Sequence, residues 1–85
     1  MRIPDMDEEY FYIKVSFDET QGSFKKNKIS ADDLCIFSFW WYGCEEDWDN
    51  LLSGNLFFTF EEAMEELEKW RERINIYEKH VQQEN

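Results

Sequence analysis

A helix-forming segment in the second half of this 85-residue chain constrains the fold more than any other feature. Residues 59–62 have the pattern of a capping box, in which the Thr59 hydroxyl accepts a hydrogen bond from the Glu62 amide and the Glu62 carboxylate accepts one from the Thr59 amide. Apolar residues then recur at alternating spacings of three and four, which is typical of one apolar stripe along an α-helix. The stripe consists of Phe60, Ala63, Leu67, Trp70, Ile74, Tyr77 and Val81. The sequence therefore predicts a helix from Phe60 to about Val81.

The apolar stripe is compatible with two kinds of packing. A three-four repeat lets a helix lie across its own sheet, and it also lets helices pair in a coiled coil. Packing on the sheet is the favoured interpretation. A helix of about 22 residues is roughly 33 Å long, whereas strands of five or six residues span roughly 17 to 20 Å. We therefore expect the last turns to extend beyond the sheet, where Ile74, Tyr77 and Val81 would be free to contact a second copy or a partner.

Strand patterns occupy much of the first half of the chain. Tyr10–Phe17 alternates apolar and polar residues, as in a half-buried strand, and Ser23–Ile29 predicts a weaker edge strand that carries three lysines. Leu34–Tyr42 is almost continuously apolar and aromatic, which predicts a strand buried on much of both faces. Cys44–Gly54 is interpreted as an acidic loop, and Leu56–Phe58 as a short further strand.

These elements predict a single α+β domain over residues 1–85. We expect a small antiparallel sheet of three or four strands, with one long C-terminal helix packed on one face. The predicted core between sheet and helix consists of Phe11, Ile13, Val15, Leu67 and Trp70.

The acidic residues in the middle of the chain are not balanced by any basic residue. The formal net charge is −11, and residues 31–55 contain no lysine or arginine. This stretch also holds the aromatic run Phe37–Tyr42. Such a surface attracts cationic proteins and repels nucleic acid, so we expect a basic protein partner and no direct nucleic-acid binding. The predicted partner-binding residues are Asp32, Asp33, Glu45, Glu46, Asp47, Trp48 and Asp49.

Residues with catalytic or metal-binding chemistry are few. The only histidine, His80, lies in the last predicted turn of the helix, where a cation interacts favourably with the helix dipole. Cys35 and Cys44 lack the second ligand pair of a zinc site, and the acidic surroundings of Cys44 disfavour its thiolate. The carboxylates around Asp47 do not have the spacing of a calcium loop. We therefore expect neither an enzyme nor a protein with a metal or cofactor.

No stretch of the sequence reaches the roughly 20 consecutive apolar residues that a membrane-spanning helix needs. The N-terminal residues also lack the apolar region of an export signal. We therefore expect a cytoplasmic protein without a membrane partner, in which both cysteines are reduced.

Size, charge and the scarcity of catalytic groups together predict a binding function. In size and charge the chain resembles small inhibitors encoded by phages and mobile elements, such as anti-restriction proteins, anti-CRISPR proteins and glycosylase inhibitors, and the immunity proteins of nuclease toxins. This resemblance rests on no family motif and implies no residue roles. We predict an acidic nucleic-acid mimic, monomeric or homodimeric, that inhibits a partner by docking on its basic, nucleic-acid-binding surface. The alternative is a non-inhibitory interaction module or small subunit of a complex that dimerises through the helix 60–81.

Overall fold

The computed structural model describes residues 1–15 and 33–83, with side chains described as far as residue 80. Its elements follow the order β1, β2, α1, α2 and confirm the α+β class. They are β1 Glu9–Val15, β2 Leu34–Trp40, α1 Glu45–Leu52 and α2 Phe60–Gln83.

The two strands pair antiparallel, with Ile13 opposite Ile36 and Tyr12 opposite Phe37. Because residues directly opposite each other share a face, the register separates two groups of side chains. The helix face, which packs against α2, carries Phe11, Ile13, Val15, Leu34 and Ile36. The opposite face carries Tyr10, Tyr12, Lys14, Cys35, Phe37 and Phe39.

Three or four strands is more than the described residues show. Phe57 forms only an isolated bridge to β1, through two hydrogen bonds of 2.8 Å with the backbone of Phe11. Two residues further along β1, the Asn55 side chain makes the hydrogen bonds that the backbone of a third strand would make. Its Oδ1 accepts from the Ile13 amide at 2.8 Å, and its Nδ2 donates to the Ile13 carbonyl at 2.7 Å. The predicted strand Leu56–Phe58 is therefore reduced to one bridge. The predicted strand Ser23–Ile29 lies outside the described residues.

The core between sheet and helix contains four of the five predicted residues, and Phe11 is not among them. Ile13, Leu34 and Leu67 are buried together. Val15 and Trp70 are half-buried against them, and Phe11 meets the Phe60 ring edge-on, with 6.1 Å between ring centroids. Burying a large aliphatic side chain contributes about 1.5 to 3 kcal/mol, so this cluster is the main apolar support of the fold.

Helix α2 begins where the sequence predicts. The Thr59 hydroxyl accepts from the Glu62 amide at 3.2 Å, as a capping box requires. The Glu62 carboxylate reaches one residue further back than expected and accepts from the Phe58 amide at 3.4 Å. Together these two hydrogen bonds satisfy two backbone amides at the start of α2.

The apolar stripe of α2 leaves the core after Ile74. Ile74 still packs on the core, contrary to the expectation that it would be free. Ile76 and Tyr77 are exposed, so the expected extension of the helix beyond the core is confirmed for Tyr77. The side chain of Val81 lies outside the described set.

Strand β2 is more exposed than predicted. The strand ends at Trp40, and of its seven residues only Leu34 is buried. Phe37, Phe39 and Trp40 are exposed. The expectation of burial on both faces is wrong because the described sheet has two strands, and α2 covers one face of it mainly at the Leu34 end.

Candidate partner-binding site

The predicted acidic loop is largely a helix, α1, from Glu45 to Leu52. Three acidic residues in its first turn interact favourably with the positive end of the helix dipole. Gly54, with a φ of 77°, follows Ser53 and lets the chain leave the helix in the left-handed conformation that glycine adopts without strain. The helix signal in the sequence is weak because the segment is short and Asp47, Asp49 and Asn50 have low helix propensity.

Asp47 anchors α1 to the rest of the molecule. Its side chain is completely buried. One carboxylate oxygen, Oδ1, accepts a hydrogen bond of 2.6 Å from the Tyr10 hydroxyl of β1. The other, Oδ2, accepts from the backbone amides of Tyr42, Gly43 and Cys44 at 2.8, 3.0 and 3.3 Å. A buried carboxylate with four donors satisfies its hydrogen-bonding capacity and fixes the loop before α1.

The hydrogen bonds to Asp47 also set its protonation state. Burial alone would raise the pKa of Asp47, but donation from the Tyr10 hydroxyl and from the backbone of Tyr42 and Cys44 outweighs it, so the pKa lies below the usual value. Burial and the Asp47 carboxylate raise the pKa of Tyr10. At neutral pH the pair is therefore a carboxylate and a protonated phenol.

This burial corrects one predicted partner-binding residue. Asp47 was expected on the binding surface, but it is inaccessible and holds the fold together instead. Glu45, Glu46 and Asp49 are exposed, Asp33 is half-buried, and Asp32 lies outside the described residues.

Helix α1 turns an acidic side outward. Asp47 and Leu51, four residues apart, share the buried side. The exposed side, which we call the α1 outer face, consists of Glu45, Glu46, Trp48, Asp49 and Leu52. Leu52 is 68% exposed. The sequence does not predict this exposure, because leucines are usually buried.

Trp48 lies at the border between core and surface. Its ring meets the buried Trp41 ring edge-on, with 5.1 Å between centroids. It is still 37% exposed. Trp48 is therefore held in one position and presents one side to solvent, which limits the entropy it would lose on binding a partner.

The carboxylates of the α1 outer face have no ion pair within the part of the chain that the structure describes. The ion pairs there join Arg2 to Glu8, and Lys69 and Arg71 to glutamates of α2. The sequence contains no lysine or arginine between Lys28 and Lys69. Among the described residues, no basic side chain pairs with the negative charges of this face.

Aromatic rings continue the site across the sheet. We call Tyr12, Phe37, Phe39 and Tyr42 the aromatic patch, in which Tyr12 is half-buried and the other three rings are exposed. Tyr12 stacks on Phe37 across the strands, and Phe39 meets Tyr42 edge-on, with 5.9 Å between the centroids of each pair. Tyr42 is 53% exposed and lies three residues before α1.

The aromatic patch adjoins the α1 outer face. Burial raises the pKa of Tyr12, and the negative charge of Glu46 raises it further. Tyr12 also packs against the buried cluster that includes Leu51 of α1. The aromatic patch therefore adjoins α1, an arrangement the sequence did not predict because it depends on the packing of α1 over β1.

The described residues offer little for other kinds of chemistry. Among residues 1–15 and 33–83, no three histidine, cysteine or acidic side chains are grouped so that they could hold a metal ion. His80 is exposed on α2, and Cys35 and Cys44 are free thiols. Neither α1 nor α2 has a run of apolar residues sufficient to cross a bilayer.

Comparison of the chain with protein families, with curated proteins and with solved structures found no match.

Proposed function

We propose that the protein is a small acidic inhibitor that docks on the basic, nucleic-acid-binding surface of a partner protein. The α1 outer face is the contact surface, with the carboxylates of Glu45, Glu46 and Asp49 in the positions of phosphates and the Trp48 ring as an anchor. The partner loses access to nucleic acid because the same basic surface is occupied.

One observation carries this proposal: three exposed carboxylates on α1 without a described ion pair, on a helix fixed by a buried hydrogen-bonded network. A phosphate mimic needs charges that hold their spacing, since a flexible acidic tail loses entropy when it is ordered. The Asp47 hydrogen bonds to Tyr10 and to the backbone before α1 supply this rigidity.

Electrostatic steering provides the first test. With the fluorescence of the tryptophans as the signal, association with an octalysine peptide is measured by stopped flow at 50 mM and 200 mM salt. The Debye length falls from roughly 14 Å to 7 Å over this range, so the association rate constant should fall clearly. The double variant Glu46→Lys with Asp49→Lys should bind more slowly and more weakly than the wild type at both salt concentrations.

A matched control separates a local surface from total charge. Glu65→Lys with Glu72→Lys makes the same change in net charge at two exposed positions of α2. The proposal predicts a smaller loss of affinity for this control than for the α1 variant. Equal losses would mean that only net charge matters, and the localised site would be rejected.

A second candidate function follows from the exposed end of α2. Ile76 and Tyr77 lie beyond the core, and an unpaired apolar helix end is a common route to self-association. Under this alternative the protein is an interaction module or subunit that dimerises through α2. Sedimentation equilibrium at about 100 μM, with Ile76→Glu as the disrupting variant, tests it: a monomer at that concentration would dismiss the alternative.

A further inference from the structure

We infer that the aromatic patch binds arginine side chains of the partner, in preference to lysine, with the Glu46 carboxylate beside it as the counter-charge. The inference rests on the proposed function and names the partner's chemistry: an arginine-bearing protein segment laid across the sheet from the α1 outer face. The patch and Glu46 act together, since a planar guanidinium stacks on a ring while its N–H groups donate to a carboxylate.

The rings have the exposure that this role needs. Phe37 and Phe39 are 39% and 41% exposed, and Tyr42 is more exposed still. The contacts between Tyr12 and Phe37 and between Phe39 and Tyr42 support each ring from the side. Rings held in this way present fixed surfaces on which cations can stack.

The patch already attracts a cation from its own chain. The Lys14 ammonium lies 5.8 Å from the centroid of the Phe37 ring, close to the outer limit of about 6 Å for a cation–π contact. Elsewhere in the molecule the Arg2 guanidinium lies only 4.1 Å from the centroid of the Phe58 ring. The Arg2 guanidinium therefore makes a close cation–π contact, whereas the contact between Lys14 and Phe37 is a distant one. Lys14 then acts as a weak internal competitor for an arginine of the partner.

Charge selects a basic protein segment over the other possible occupants of the patch. A second copy would bring another −11 toward the same surface and would place carboxylates against Glu46. Nucleic acid and anionic lipid headgroups are repelled for the same reason. An arginine-rich segment has the opposite charge and the planar group that aromatic rings accept.

The first arm of the test compares two peptides of equal charge. Isothermal titration calorimetry with octaarginine and octalysine at 50 mM salt should show the arginine peptide binding at least about threefold more tightly. Phe37→Leu keeps an apolar side chain of similar size but removes the ring. This variant should lower the preference for arginine, while its melting temperature reports whether the fold is intact.

The second arm uses the internal competitor. Lys14→Gln removes the cation above Phe37 and should tighten octaarginine binding by about twofold to fivefold. Lys79→Gln makes the same change in net charge at an exposed position of α2. This control should produce a clearly smaller increase in affinity.

The outcomes separate this inference from the proposed function. Equal affinities for both peptides, each reduced by Glu46→Lys with Asp49→Lys, would overturn the arginine preference and leave the proposed function standing. Equal gains from Lys14→Gln and Lys79→Gln would also overturn it. Binding of neither peptide at low salt would remove both proposals.

A dimer of the free protein that Phe39→Ser converts to a monomer would show that a second copy occupies the patch, which would overturn the inference.

Discussion

Different interactions stabilise the two faces of the sheet. On the helix face, Ile13, Leu34 and Leu67 are buried in a continuous apolar cluster with α2. On the opposite face, a smaller cluster of Tyr10, Trp41 and Leu51 is buried beside the hydrogen-bonded Asp47 carboxylate, and together they fix α1. The first face is stabilised by apolar burial alone. The second face combines apolar burial with a buried polar network and leaves Phe37 and Phe39 exposed.

Substitutions in these regions should therefore have different effects. Changes on the helix face should reduce stability without any specific effect on binding. Changes at the Asp47 network should reduce stability through lost hydrogen bonds, with a pH dependence that apolar packing lacks. Changes on the α1 outer face should leave stability almost unchanged and alter association.

The largest effect is expected for Leu67→Ala. Truncating a buried leucine removes its apolar burial and leaves a cavity, so the free energy of unfolding should fall by about 2 to 5 kcal/mol. Urea denaturation measures this loss. Ile76→Ala, on the exposed end of the same helix, is the control and should change stability by no more than about 0.5 kcal/mol. An unchanged melting temperature for Leu67→Ala would contradict the packing of α2 on the sheet.

Asp47→Asn should have the next largest effect. The carboxylate accepts hydrogen bonds on both oxygens, whereas an amide brings its own NH₂ donor against either the Tyr10 hydroxyl or the backbone amides. Losing charge-assisted hydrogen bonds in a buried site should cost about 1.5 to 3 kcal/mol. Tyr10→Phe removes one of the donors and should cost less. Asp49→Asn, at an exposed position of the same helix, is the matched control, and an equal loss in that variant would contradict the anchoring role of Asp47.

Acid should reduce the difference in the free energy of unfolding between the wild type and Asp47→Asn. The pKa of Asp47 is lower in the folded protein than in the unfolded chain, so its stabilising contribution is fully present above the unfolded pKa of about 4. That contribution is lost as pH falls through the lower folded pKa. Urea denaturation between pH 7 and pH 3 should therefore show a stability difference that shrinks with acid, and a constant difference would mean that Asp47 does not ionise differently on folding.

The smallest stability effect is expected for Glu46→Lys with Asp49→Lys. Both side chains are exposed and lack described ion pairs, but Glu46 lies in the first turn of α1, where the helix dipole favours a carboxylate. The free energy of unfolding should therefore fall by about 1 kcal/mol or less. Circular dichroism during thermal unfolding checks this. A large loss of stability would mean that these carboxylates support the fold, and the weaker peptide binding of the variant would no longer report on a contact surface.

The sequence predicts the features of this fold that depend on local patterns. Thr59 and Glu62 mark the start of α2, and the alternation of Ile13 and Val15 identifies the helix face of β1. Both signals reside within a few neighbouring residues. The hydrogen bonds that Asn55 makes to β1 have no such local signal, because their partner Ile13 is 42 residues away.

The candidate site was less predictable for the same reason. Glu45, Glu46 and Asp49 lie on the surface as charged residues usually do. Asp47 does not, because its partner Tyr10 is 37 residues away along the chain and nothing in the local composition distinguishes it from its acidic neighbours. A helix over this segment places Asp47 on the same side as Leu51, four residues later, and so predicts that Asp47 is buried. The proximity of Tyr12 to α1 depends on how α1 packs over β1, which no local pattern shows.

Residue-resolved mapping of a bound cation tests the central claim most directly. The ¹⁵N-labelled protein is titrated with octalysine at 50 mM salt, and amide chemical shifts are followed by NMR. We expect the largest shift changes at residues 42–52 and at the β2 positions beside them, and we expect these changes to disappear at high salt. Changes of equal size along the acidic first half of α2, residues 61–68, would show that the cation samples the whole negative surface and would contradict a localised site on α1.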